Sequence, residues 1–153
     1  MSLRLYFILS QKRQQMEVNL TRLDQDFHFA ATGTAGVAVH MDGNPEIGGH
    51  NQGARPMEML LMGLGGCSAI DLIQILKKQR QQIGSIDMKV TADREKVDEY
   101  TEFRNINIHF KLGGPLDEEK VHKAIKLSLE KYCSVAMVIY KTSDISYTLE
   151  LVG

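Results

Sequence analysis

Residues 56–81, PMEMLLMGLGGCSAIDLIQILKKQRQ, decide how this chain folds. Pro56 suits the first turn of a helix, where its missing N–H costs nothing. Leu60, Leu64, Ile70, Ile73 and Leu76 carry a helical apolar pattern on to about Gln82. Apolar residues cover most of the circumference from 57 to 76, which predicts a helix buried on several sides. The cluster KKQRQQ brings it to the surface at the end where cations suit the helix dipole. Gly63, Gly65 and Gly66 sit inside the pattern, just before Cys67. Each costs a helix about 1 kcal/mol relative to Ala, which is tolerated where backbones approach closely or a helix bends.

Outward from this helix, the sequence reads as strands. EVNLTRL (17–23) and FHFAA (27–31) alternate around DQD and predict a hairpin, and VAVHMDG (37–43) predicts a third short strand. DGNPEIGGHNQGAR (42–55) is a Gly-, Asn- and Pro-rich loop, long enough to carry function. After the helix, SIDMKVTADRE (85–95) and FRNINIHFKL (103–112) alternate cleanly and are joined by the charged KVDEYTE. GGP at 113–115 breaks the chain. LDEEKVHKAIKLSLEKYC then predicts a second amphipathic helix, capped by Asp117 and ended by Cys133. DISYTLELV (144–152) closes as a strand. Strands, buried helix, strands, helix, strand: this order argues an α+β fold with a mainly antiparallel sheet, in one domain over residues 1–153.

The chain has 153 residues, 43% hydrophobic and 24% charged, enough for a real core and typical of a soluble globular protein. Its formal net charge is −1, so no electrostatic bias favours nucleic acid or an anionic membrane, and without Trp it lacks much of a stacking platform for single strands. The opening MSLRLYFILSQKRQQM has its basic cluster after a short apolar run and no small-residue cleavage pattern, so it does not read as a signal peptide or a membrane span. Residues 1–15 read as an extension or an extra edge strand, with Met16 an alternative start. So widely apolar a helix, with so little sheet to cover it, predicts packing against a second copy in a homodimer.

The two cysteines, Cys67 and Cys133, stand outside any CxxC pair, and the five histidines show no metal-like spacing to them. They fit a reducing, cytoplasmic setting. Residue types alone leave two readings of Cys67. Free cysteine usually behaves as a small buried hydrophobe. If the helix breaks at Gly65-Gly66, however, Cys67 begins a new segment whose free N–H groups and dipole favour thiolate. Asp71, one turn on, opposes that effect if it faces the sulfur. By the same standard Cys133 reads as core.

RPMEMLLMGLGGCSAIDLIQILKK together with SLEKYCSVAMVIYK resembles the OsmC/Ohr superfamily, most closely its YhfA-like branch. The resemblance spans residues 16–152 and includes the element order, the helix-entry proline, the GGC motif and a second cysteine at a helix end. It implies an OsmC-like fold, an intertwined homodimer with antiparallel sheets wrapped around two long central helices. It also implies a thiol peroxidase of the organic hydroperoxide reductase type. Cys67 would attack the peroxide and become a sulfenic acid, and Cys133 would resolve it as a disulfide. A dithiol reductant would restore both, and no metal or organic cofactor would be needed. In the family pattern a glutamate follows the proline directly; here that place is Met57, and the carboxylate is Glu58, nine residues before Cys67. At about 100° per residue, a straight helix puts Glu58 opposite Cys67. The family's arginine has two candidates, Arg22 and Arg55. A non-enzymatic dimeric module binding a small apolar ligand is the alternative reading, and a thiol–disulfide regulator acting on proteins is a third.

Overall fold

In a computed structural model, which describes residues 15–153, strand β5 (Tyr100–Gly113) is the spine of the larger part of the molecule. Ile106, Ile108, Phe110 and Leu112 alternate along it and are 0–1% exposed, while the residues between them face the other way. Period-2 alternation puts one face of a strand into a core, and here that face is continuous. β5 pairs antiparallel with β4 (Ser85–Val97) and parallel with β6 (Asp144–Val152), in the order β4-β5-β6. The hairpin between β4 and β5 is tighter than KVDEYTE suggests. Both strands run through that charged stretch to a turn at Asp98, where φ is 53°. Arg104 of β5 pairs across the ladder with Glu95 of β4 and along its own strand with Glu102, each at 2.7 Å.

The helix α1 spans Pro56–Lys78. Leu64, Ser68, Leu72 and Leu76, four residues apart, form its fully buried stripe. They meet the buried face of β5 together with Val121, Ala124 and Ile125 of α2 (Glu118–Leu127). The capping expectation holds, since the Asp117 side chain accepts from the N–H of Lys120 at 2.9 Å. The second helix nevertheless stops short of Cys133. Ser128–Tyr132 form a π-helical turn, Cys133 is extended (φ −69°, ψ 100°), and a short helix α3 follows over Ser134–Ile139.

α1 is unbroken through Gly65-Gly66, so no new helical segment begins at Cys67. Gly65 answers to a close approach: a Cβ there would lie 3.3 Å from Cγ2 of Val90 on β4. Gly63 and Gly66 face open space within this chain. Leu60, Met62 and Ile70 beside them are 49%, 55% and 60% exposed. By length and composition alone α1 could cross a membrane. Its other side is built into the core of its own sheet, the position of a core helix.

The chain divides into two compact units, one ending at Pro56 and the other spanning Met57–Gly153. In the first, β1 (Asn19–Arg22), β2 (Phe29–Thr32) and β3 (Ala38–Met41) form an antiparallel meander, as the alternating segments predict. The loop after β3 is organised by Asp42, which is buried and accepts from the N–H groups of His50 at 2.9 Å and Gln52 at 3.0 Å. Those N–H groups, Gln52 foremost, hold its carboxyl below the usual carboxylate range. The reading of residues 1–15 as an extension falls, but for Gln15, outside the described residues.

Candidate functional site

Cys67 lies mid-helix on α1, on the flank of the buried stripe, and is half-buried. Its N–H is inside the helix ladder, so no helix terminus serves it. Cys133 approaches from the π-turn. Its N–H reaches back to the carbonyl of Ser128 at 2.8 Å, the five-residue step of a π-helix, and the chain then swings into extended backbone. The side chain is fully buried, and its Sγ accepts from the N–H of Ala136 at 3.4 Å.

The structure brings these two cysteines together. Sγ of Cys67, Sγ of Cys133 and a carboxylate oxygen of Asp71 all lie within 4.8 Å of one another. Two buried serines fix the arrangement. Ser68 donates to the carbonyls of Leu64 (2.8 Å) and Gly65 (3.1 Å), and Ser128 donates across to the carbonyl of Ser68 at 3.3 Å. The residue after the first cysteine is thereby tied to the segment that delivers the second.

Asp71, i+4 from Cys67, does face the sulfurs. Its Oδ2 is shut off from solvent and has no hydrogen-bond partner. Burial pushes the Cys133 thiol up to about 11, with the neighbouring Cys67 and the Asp71 charge pushing the same way and the Ala136 N–H opposing. Cys133 therefore rests as a neutral thiol at pH 7, buried beside a half-exposed one. A cleft of about 410 Å³ opens beside Asp71, bordered by Ile75, Gln79, Leu127 and Tyr132.

Glu58 lies elsewhere. With α1 unbroken, nine residues turn it to the side away from Cys67. There it borders an apolar groove of about 720 Å³ with Leu61, Met62, Gly65, Met88 and Val90 among its walls. The two arginine candidates belong to the first unit. Arg22 donates from Nε to the carbonyl of Asp26 at 3.0 Å. Arg55 donates to the carbonyls of Asp42 (3.3 Å) and Gly53 (3.2 Å) and to Oδ1 of Asn51. Each is engaged by its own loop.

Two groups of side chains among the described residues have donors close enough to hold a cation: Cys67, Asp71 and Cys133, and half-buried Asp24 with exposed Asp26 and His50. Sequence spacing pointed to neither. Asp71 was visible as an i+4 neighbour, but the third member of its group arrives only through the turn at 128–132.

The family model described as OsmC-like protein matches residues 49–148. The chain is 39% identical to Protein YhfA of Escherichia coli K12 over 126 residues, covering 82% of this chain and 90% of that one. A structure of a hypothetical protein from Aquifex aeolicus is 29% identical, with a TM-score of 0.74 over 92% of this chain and 99% of that one. A Legionella pneumophila structure described as an organic hydroperoxide resistance protein OsmC and predicted redox protein is 12% identical. It superposes with a TM-score of 0.70 over 92% and 99% of the two chains, a likeness of fold.

Proposed function

Because the chain belongs to the OsmC-like family, we propose that it is a thiol-dependent redox protein that reduces organic hydroperoxides. Cys67, half-buried and reachable, is the attacking sulfur; Cys133, fully buried, is the resolving one. One observation carries this reading: the two sulfurs, 66 residues apart in sequence, lie within 4.8 Å of each other across two separately built segments. In the first step Cys67–SH and ROOH give Cys67–SOH and ROH, the O–O bond breaking as S–O forms. In the second, Cys133–SH and Cys67–SOH give the disulfide and water, so the proton that Cys133 holds at rest leaves with the hydroxyl. A dithiol then takes the disulfide back to two thiols, returning the two electrons. The name of the Legionella protein of like fold points to the same substrate class.

A homodimer belongs to the same proposal. Gly63 and Gly66 have nothing against them in this chain, and exposed Leu60, Met62 and Ile70 flank them, so a second copy lying on this face would bury an apolar patch with close backbone approach. Glu58 does not reach Cys67 of its own chain, and a part in catalysis would have to be played toward the partner's site. The setting is a reducing, cytoplasmic one, with no membrane and no nucleic acid as partner.

Single-turnover stopped-flow with cumene hydroperoxide is the test. Wild type loses two thiols per chain, Cys133→Ser turns over once and stops at the sulfenic acid, and Cys67→Ser is inert. Retention of both thiols in wild type would refute the proposal. The apolar groove beside Glu58 supports a second reading, a module that binds a small apolar ligand. In that case Cys67→Ser leaves both ligand binding and peroxide response unchanged.

A further inference from the structure

We propose that Cys67, Asp71 and Cys133 together bind a soft divalent cation, of which Zn²⁺ is the type, while both thiols are reduced. The donor set is two sulfurs and one carboxylate oxygen, mutually within 4.8 Å. A tetrahedral zinc ion with bonds of about 2.3 Å to sulfur and 2.0 Å to oxygen holds such donors about 3.5–3.8 Å apart. Side-chain rotation of about an ångström therefore closes the site, without backbone movement.

The frame is already rigid. Cys67 and Asp71 stand at i and i+4 on an unbroken helix, the spacing that places two ligands on one face. Cys133 is held by the Ser128 carbonyl on its N–H and by the Ser128–Ser68 tie. The second, independent observation is Oδ2 of Asp71, buried and without a partner. Buried carboxylate oxygens are normally satisfied, and a cation bound through the Asp71 carboxylate, which has an oxygen within 4.8 Å of both sulfurs, would give this group the partner it lacks. Two thiolates select zinc, cadmium or copper(I) over magnesium or calcium.

Binding moves protons and no electrons: M²⁺ displaces one proton from each thiol, forms two M–S bonds and takes the carboxylate as its anion. The same sulfurs cannot at once be a disulfide. Cation occupancy and oxidation thus exclude each other, and the bound ion shields the thiols from peroxide. The site stands apart from the peroxide chemistry proposed above, because it needs reduced thiols and no turnover.

The test is anaerobic titration of the reduced full-length chain with Co²⁺, read by near-ultraviolet thiolate-to-cobalt absorption, and with Zn²⁺ against a chromophoric chelator. One equivalent per chain with a two-thiolate band is expected. The band should vanish in Cys67→Ser, the zinc affinity should fall about tenfold or more in Asp71→Asn, and Asp26→Asn, at an exposed residue of the other group, should leave both readouts unchanged. Wild type whose Cys67 has been alkylated after folding must also lose the signal, which separates loss of the ligand from a folding defect. Zinc binding that is undiminished in Cys67→Ser or in Asp71→Asn, or cobalt bound without a thiolate band, would overturn the assignment.

Discussion

Cys133 should be among the least reactive thiols the chain could carry at neutral pH, and its reactivity should climb with pH for longer than a free cysteine's. Its pKa is pushed up to about 11, burial being the foremost cause. Four pH units below that value, about one molecule in ten thousand carries the thiolate. An ordinary cysteine with a value near 8.5 is about 3% ionised at pH 7. The ratio, about 300-fold, is the expected depression of alkylation rate from ionisation alone, and complete burial slows it further. The assay is peptide-resolved mass spectrometry after timed iodoacetamide exposure of reduced, chelator-treated protein, folded and in urea. Between pH 7 and 10 the folded rate at Cys133 should rise about tenfold per unit without levelling. The stability consequence has a definite sign: the neutral thiol suits the fold, so this contribution is fully present below about 8.5 and is lost as pH climbs toward 11. A folded-state rate at Cys133 within tenfold of the urea value at pH 7, or a plateau near pH 9, would refute the reasoning.

Leu72→Ala, at a fully buried position facing β5, should cost about 2–5 kcal/mol in urea unfolding. Ser128→Ala removes the hydroxyl bonded to the Ser68 carbonyl; a loss of about 1 kcal/mol is expected, with slower disulfide closure at unchanged peroxide attack, separable by stopped-flow. Gly66→Ala would stabilise an isolated chain by about 1 kcal/mol, since nothing in the chain opposes a Cβ there. If a second copy covers this face, the variant should instead weaken the dimer, which sedimentation equilibrium measures; unchanged association with raised stability would place the interface elsewhere. The lowered carboxyl of Asp42 stabilises the first unit above the ordinary carboxylate range and ceases to do so as pH falls through its folded value. An acid titration followed by the amide signals of His50 and Gln52 should therefore show the loop releasing below about pH 4, a step that Asp42→Asn, with no carboxyl to protonate, should lack.

The elements whose burial is one-sided were legible in the sequence. β5 alternates because one face meets a core and the other meets water, and that contrast is written in FRNINIHFKL. Direction was not: periodicity reports faces, so nothing in DISYTLELV says that it runs parallel to its neighbour. The continuation of α1 through Gly65-Gly66 was also hidden, because helix propensity counts the cost of each glycine but not the packing of Leu64, Leu72 and Leu76 that offsets it. SLEKYC carries no glycine or proline and reads as helix to its end at Cys133, so neither the π-turn nor α3 had a local signal. With the turn went the site: Cys133 was legible as a residue, but its meeting with Asp71 depends on where that turn delivers it.

The π-turn at Ser128–Tyr132 has a consequence for how the cysteine pair can be lost. Each residue added to or removed from a helix rotates everything beyond it by about 100°. Ser128–Tyr132 wind more widely than the α-helix before them, and the chain leaves that turn extended at Cys133, so the placing of Cys133 depends on this winding. Deleting one residue within it would give the segment back its ordinary winding and swing the sulfur of Cys133 about a quarter-turn off its line to Cys67. Both cysteines would still be present, and the core on either side could remain packed. The pair is thus joined by phase as much as by distance, and a single deletion between Ser128 and Tyr132 would uncouple it with Cys67, Asp71 and Cys133 all retained in the chain.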